Sequence, residues 1–144
     1  MSSLTLPIPN AHFIWYCAWL SVPSTIYALT HKNHHLAIVP ATVFTTSLLY
    51  WRNPVRDSWY CVLDMATVFL GVTYQSIYAF QTIRITSPNH YFAAYTLLIA
   101  ASVACYTVSN YLMNRGRLWP ATYTHASIHL IGNVANMVLY HGNI

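Results

Sequence analysis

Residues 91–113 read YFAAYTLLIAASVACYTVSNYLM, a run without one charged side chain. A helix needs roughly 17 to 25 residues to cross the hydrocarbon of a bilayer, so this run is long enough on its own. Working outward, four more apolar segments appear, at about 12–29 (with Pro23 inside), 36–51 (with Pro40 near its start), 59–80 and 119–140. The stretches between them, 30–35 (THKNHH), 52–58 (RNPVRDS), 81–90 and 114–120, hold the charges, prolines and glycine that punctuate helices. The expected fold is all-α: a polytopic transmembrane helical bundle of about five spans, one domain over residues 1–144. A β-barrel is not expected, because long apolar runs replace the alternation its strands show.

Composition leads to the same expectation. The chain is 56% hydrophobic and 6% charged, against about 25% charged in an ordinary soluble domain. The net charge of +4 comes from Lys and Arg set one or two at a time between apolar runs. No basic patch forms, so the expected partner is the lipid bilayer and not nucleic acid. Trp51, Trp59, Tyr91, Trp119, Tyr123 and Tyr140 fall near expected span ends, where amphipathic rings favour the interface. Trp15 and Trp19 sit deeper and are expected to pack. Cys17, Cys61 and Cys105 lie in or beside apolar runs with no CxxC pair, which fits buried thiols and not a disulfide or zinc-ribbon framework. The first eleven residues carry no Lys or Arg, so no cleavable signal peptide is expected. Ser2 excludes myristoylation, and the last four residues offer no prenylation cysteine.

With five spans, the N-terminus and the second and fourth loops share one side, bearing Arg52, Arg56, Arg115 and Arg117. The other side bears Lys32 and Arg84. The excess of Lys and Arg predicts an integral membrane protein with a cytoplasmic N-terminus and an outward C-terminus.

Asp64 is the most informative residue. It lies early in the third segment, roughly 7.5 Å down at about 1.5 Å per residue. A carboxylate there costs about 2.5–3.5 kcal/mol on insertion scales, so it needs an interior partner, or it reaches back to Arg52 or Arg56. The fifth segment opens with His125-x-x-x-His129. Four residues apart, both imidazoles share one helix face, which suits two ligands of one metal or two hydrogen bonds to neighbouring helices. Ser47 ends the second segment on the same membrane side. The expectation is that Asp64, Ser47, His125 and His129 converge.

Polar stripes continue along three segments: His125, His129, Gly132, Asn133, Asn136 and Tyr140; Asp64, Thr67, Gly71, Tyr74, Gln75 and Tyr78; and Tyr95, Ser102, Tyr106, Ser109 and Asn110. Such stripes face other helices, either as interhelical glue at about 0.6 kcal/mol per hydrogen bond or as the wall of a hydrated site. Ser127 is off the histidine face, so a Ser-His-Asp triad is not expected. His31, His34 and His35 read as a solvated loop, and His12, His90 and His141 as interfacial residues.

Ser47-Leu-Leu-Tyr-Trp51, then Leu63-Asp64, then His125-x-x-x-His129 resembles the CREST superfamily of membrane hydrolases, which includes alkaline ceramidases and adiponectin-receptor-like proteins. The family pattern is Ser-x-x-x-His ending one span, Asp early in the next and His-x-x-x-His in the last. Its three histidines bind zinc, while Ser and Asp support the metal-bound water. The resemblance therefore implies zinc at His125 and His129, with Ser47 and Asp64 catalytic. Two departures stand out. The family has seven spans, and Trp51 replaces its first zinc histidine. Indole offers only a donor, so Asp64 would have to be the third ligand. The stretch Tyr50-Trp51-Arg52-Asn53-Pro54 followed by Leu63-Asp64-Met65 is also similar to small membrane proteins of protists and large DNA viruses with no assigned activity.

Three functions stay open on this reading. One is a non-enzymatic membrane component, acting as a homo-oligomer or a subunit of a larger membrane complex. The second is a channel or transporter for protons, ions or a small polar solute. The third is a metal-dependent lipid amide or ester hydrolase.

Overall fold

A computed structural model describes residues 4–83, 85 and 89–143. Among them are six α-helices: α1 (Ile8–Ala18), α2 (Ser21–Thr30), α3 (His34–Trp51), α4 (Trp59–Tyr78), α5 (Asn89–Asn114) and α6 (Leu118–His141). A π-helical turn, Ala79–Ile83, extends α4. The described residues hold no strand, only an isolated bridge between Leu4 and Val55.

Two prolines shape the rods. A proline gives no N–H and its ring collides with the carbonyl four residues back. Pro23 accordingly divides the first expected segment at Trp19 and Leu20, which stay right-handed. Tighter bonds carry the chain through: Trp19 N–H to Tyr16 O (3.2 Å), Leu20 N–H to Cys17 O (3.1 Å) and Val22 N–H to Trp19 O (3.0 Å). The α1–α2 pair is thus one broken rod. Pro40 sits inside α3 and leaves the Leu36 carbonyl without its helical donor. The Tyr140 hydroxyl of α6 donates to that carbonyl at 3.3 Å, and Gln75 Nε2 of α4 donates to the hydroxyl oxygen at 3.0 Å. One chain of hydrogen bonds thereby repairs the break in α3 and joins three helices.

The helix ends have local causes. Ser58 caps α4 by accepting from Cys61 N–H at 3.2 Å. Lys32 (φ 59°) closes α2 with Asn33 N–H on Ala28 O at 2.8 Å, the wrap that usually recruits glycine. Gly116 (φ 72°) closes α5 in the same way, with Arg117 N–H on Leu112 O at 2.9 Å.

The rods alternate in direction. At one end Thr5 N–H bonds Pro54 O at 2.8 Å, Thr5 pairs with the Tyr50 hydroxyl at 2.7 Å, and Asn10 Nδ2 donates to Thr122 Oγ1 at 2.9 Å. Arg52, Arg56, Arg115 and Arg117 are exposed there. At the other end Tyr27 OH pairs with His141 Nδ1 at 2.9 Å, and Tyr78 OH donates to Asn143 Oδ1 at 2.6 Å. Lys32 is exposed at that end, while Arg84 lies outside the described residues. α6 packs between the α1–α2 rod and α5, and α3 packs between α2 and α4. A Cβ on Gly71 would stand 2.7 Å from Val39 Cγ1, so glycine is what lets α4 lie this close to α3.

Several expectations change. By length and composition one helix among the described residues, His90–Asn114, is long and apolar enough to cross a membrane (mean hydropathy 1.6), where about five spans were expected. The proline break and the polar interior stripes shorten or dilute the other apolar runs. Trp19 is not a packed residue but 49% exposed, edge-on to Phe44 at 5.1 Å. The three cysteines are half-buried and free.

The Pro40 repair is testable by a double-mutant cycle. Tyr140→Phe strands the Leu36 carbonyl and should lower stability by about 1–2 kcal/mol. Pro40→Ala restores a backbone donor, so the same change in that background should cost clearly less. Denaturation in detergent measures both, and equal costs would refute the coupling.

Candidate functional site

α3 presents Thr46, Ser47 and Trp51 on its inward face at the Arg-bearing end. All are buried. Thr46 Oγ1 and Ser47 Oγ both donate to Asp64 Oδ1, at 2.9 and 2.8 Å. Asp64 itself is 7% exposed on α4. The alternative of a surface ion pair is not what forms: Arg52 and Arg56 point to the exterior, and the partners of the carboxylate are hydroxyls. The pairing has a clear physical basis. A buried carboxylate is costly unless donors replace its water, and bonds to a charged acceptor are among the stronger ones.

Trp51 lies one turn beyond Ser47. Its ring meets that of His125 with centroids 4.8 Å apart and planes at 64°. His125 and His129 follow one another on α6 at 6.1 Å. Both are half-buried and their rings have no hydrogen-bond partner among the described residues. Trp51 Nε1 is buried and likewise unpartnered.

The four expected residues therefore fall into two neighbouring groups. Ser47 meets Asp64 as the spacing suggested. His125 meets Trp51 and His129. The expected joint ligand set of Asp64, His125 and His129 is not assembled: among the described residues no group of three His, Cys, Asp or Glu side chains could hold a metal ion. Trp51 is the physical reason visible at the site, because a large indole fills the position facing His125. Asp64, for its part, is turned onto two hydroxyls of α3.

Sequence reading missed Thr46, the second donor to Asp64. The run Thr45-Thr46-Ser47 inside an apolar segment was a usable signal. It also missed the pairs that fasten α1 and α2 to α6. Asn10 bonds Thr122, Ser24 donates to Asn133 Oδ1, and Asn133 Nδ2 reaches Ser21 Oγ at 3.2 Å and His129 O at 2.7 Å. No single-sequence pattern links positions more than 100 residues apart. Of the expected stripes, Asp64, Gly71, Gln75, Tyr95, Ser109, Asn133, Asn136 and Tyr140 are buried. Tyr74 (43%) and Tyr106 (38%) are exposed.

The chain matches no protein-family model, curated protein or solved structure.

Asp64→Asn keeps an acceptor for both hydroxyls and should cost less than about 1 kcal/mol in detergent unfolding. Asp64→Leu strands Ser47 Oγ and Thr46 Oγ1 and should cost about 1–3 kcal/mol. Equal effects of the two changes would show that the hydrogen bonds contribute nothing.

Proposed function

We propose that this chain is a polytopic integral membrane protein whose five rods, with α1–α2 counted as one, cross the bilayer, and that it serves as a non-enzymatic component of a membrane assembly. The observation that carries the reading is the distribution of polarity. In α4 the residues buried are Asp64, Gly71 and Gln75, while Phe69 (71%), Leu70 (65%) and Ile77 (52%) face outward. In α5 Leu97 (71%) and Val103 (58%) face outward, while Tyr95 and Ser109 are buried. Leaving such side chains in water would forfeit about 1.5–3 kcal/mol each. Against hydrocarbon that cost vanishes, and inward polar groups become the glue between helices. The Arg-bearing end is assigned to the cytoplasm, which puts the N-terminus inside.

A metal hydrolase is the second reading, supported by the Ser47–Asp64 bonds and by the Trp51–His125 contact, each between two positions of the CREST-like pattern. It needs a third ligand that this arrangement does not supply. An open channel has less support: the Tyr140–Gln75–Leu36 bonds close the interior at one end, and Trp51 covers His125 at the other.

Two experiments test these readings. Single cysteines at Asn53 and Gly116 should be labelled from one side of sealed vesicles and a cysteine at Lys32 from the opposite side. Labelling of all three from one side would overturn the spanning arrangement. Purified wild-type protein should hold no stoichiometric zinc, whereas Trp51→His, which completes a three-histidine set, should gain about one zinc per chain. Zinc in the wild type that is lost in His129→Ala would favour the hydrolase instead.

A further inference from the structure

α6 has two polar faces that behave differently. Thr122 and Asn133 face the α1–α2 rod, and their side chains are hydrogen-bonded there, to Asn10, Ser21 and Ser24. Ala121, Ala135 and Leu139 are buried on the other flank, toward α5. Between these flanks, His125, His129, Gly132 and Asn136 fall within about 60° of one another at 3.6 residues per turn. This middle face has almost no partners. Asn136 is 8% exposed, yet its amide has no hydrogen bond among the described residues, and its polar atoms are within reach of a water-sized molecule. The imidazoles of His125 and His129 are unbonded as well. A Cβ added to Gly132 would meet nothing within 4 Å, although Gly132 lies on the helix at the centre of the bundle. Two sealed, unpaired donors belong to neighbouring helices: Trp51 Nε1 on α3 and Ser102 Oγ on α5.

Inward-facing polar groups without partners are exceptional, because a buried one forfeits about 1–3 kcal/mol unless something else bonds it. Along α6, His129, Gly132 and Asn136 fall between two contacts. Trp51 on His125 marks one end, and Tyr140 with Gln75 and the Leu36 carbonyl marks the other. From His125 to Asn136 the face runs roughly 16 Å at about 1.5 Å per residue, room for several small molecules in file. The charge of the surroundings sets the class of occupant. Lys32, Arg52, Arg56, Arg115 and Arg117 are all exposed at helix ends, and the one acidic side chain buried among the described residues is Asp64 on α4. Among the described residues no Lys or Arg side chain is buried, so an anion would find no permanent countercharge inside.

We propose that the His125–His129–Gly132–Asn136 face of α6 is a hydrated internal binding site for small hydrogen-bonding solutes that are neutral or positively charged. Water bonds the accessible groups, the Asn136 amide and the two imidazoles, when no solute is bound, a role that buried waters commonly fill. The site lies between these two contacts, so it is a chamber that small solutes can enter and not a continuous pore. It does not depend on how many rods cross a bilayer.

Cysteine chemistry tests it, since thiols react with methanethiosulfonates as thiolates and these form in water and not in hydrocarbon. Gly132→Cys, Asn136→Cys, Val134→Cys and Ala135→Cys are purified in detergent with the native cysteines kept. Modification is mapped by peptide mass spectrometry. Cysteines at 132 and 136 should react at least 10-fold faster than those at 134, on the outer face, and 135, packed toward α5. The 2-aminoethyl reagent should outpace the 2-sulfonatoethyl reagent at least 10-fold, after correction for their rates with a free thiol. Rates at 132 and 136 no greater than at 134 would overturn the site, and equal rates for the two reagents would overturn the charge class. A second variant guards against misfolding of the first set. Gly132→Leu should keep the thermal midpoint within a few degrees and slow modification of Asn136→Cys at least 10-fold. If Gly132→Leu unfolds the protein, the open space is not there and the proposal fails.

Discussion

The carbonyl that Pro40 strips of its helical partner is the constraint around which this bundle is arranged. An unpaired carbonyl in an apolar interior is among the more expensive defects a helix can carry. Here the donor comes from Tyr140, near the far end of the sequence, and the hydroxyl is itself held by Gln75. The bond fixes how deep α6 sits against α3 and which face α4 turns inward. Its neighbours add to the same end: Asn33 Nδ2 donates to Tyr140 O at 3.3 Å, and Asn143 Nδ2 donates to Asn33 Oδ1. A single backbone fault in one rod is thus answered by a polar knot that orients three.

Away from that knot, and outside the His125–Asn136 face of α6, many of the polar side chains turned inward are matched. Asp64 takes two hydroxyls, Asn10 takes Thr122, and Asn133 takes Ser21 and Ser24. Small residues complement this. Gly71 sits against Val39, and Ala11, Ala18, Ala28, Ala79 and Ala135 are fully buried. Bulky residues such as Phe69 and Leu97 are turned out. Close approach of backbones and bonded polar groups hold such an architecture together where burial of large apolar side chains does not.

The helical class and the rough limits of the rods were legible because apolar runs and their breakers are local signals. The segment expected at 119–140 is observed as Leu118–His141, and that at 59–80 as Trp59–Tyr78 with its π turn. The division at Trp19–Leu20 is half legible, since Pro23 marks a break in the segment but the break itself falls four residues earlier. At the site, Asp64 with Ser47 could be read because only one turn-like connection separates their segments and both lie near its ends. The zinc expectation did not gain its geometry. Helix-face arithmetic brings His125 and His129 together, but it says nothing of what an indole at position 51 does to the space opposite them. Contacts such as Asn10 with Thr122 were invisible because no periodicity spans them.

The pairing of the first rod with the last helix bears on how the molecule is made. Asn10 and Thr122 are 112 positions apart, and Ser24 and Asn133 are separated by 109. At synthesis rates of about 5–20 residues per second, the amino-terminal rod emerges roughly 6–20 seconds before its partners exist. Throughout that interval Asn10, Ser21 and Ser24 have no mate from α6. A nascent chain in this state carries these polar groups without their final partners, and late delivery of α6 becomes the step that commits the whole bundle.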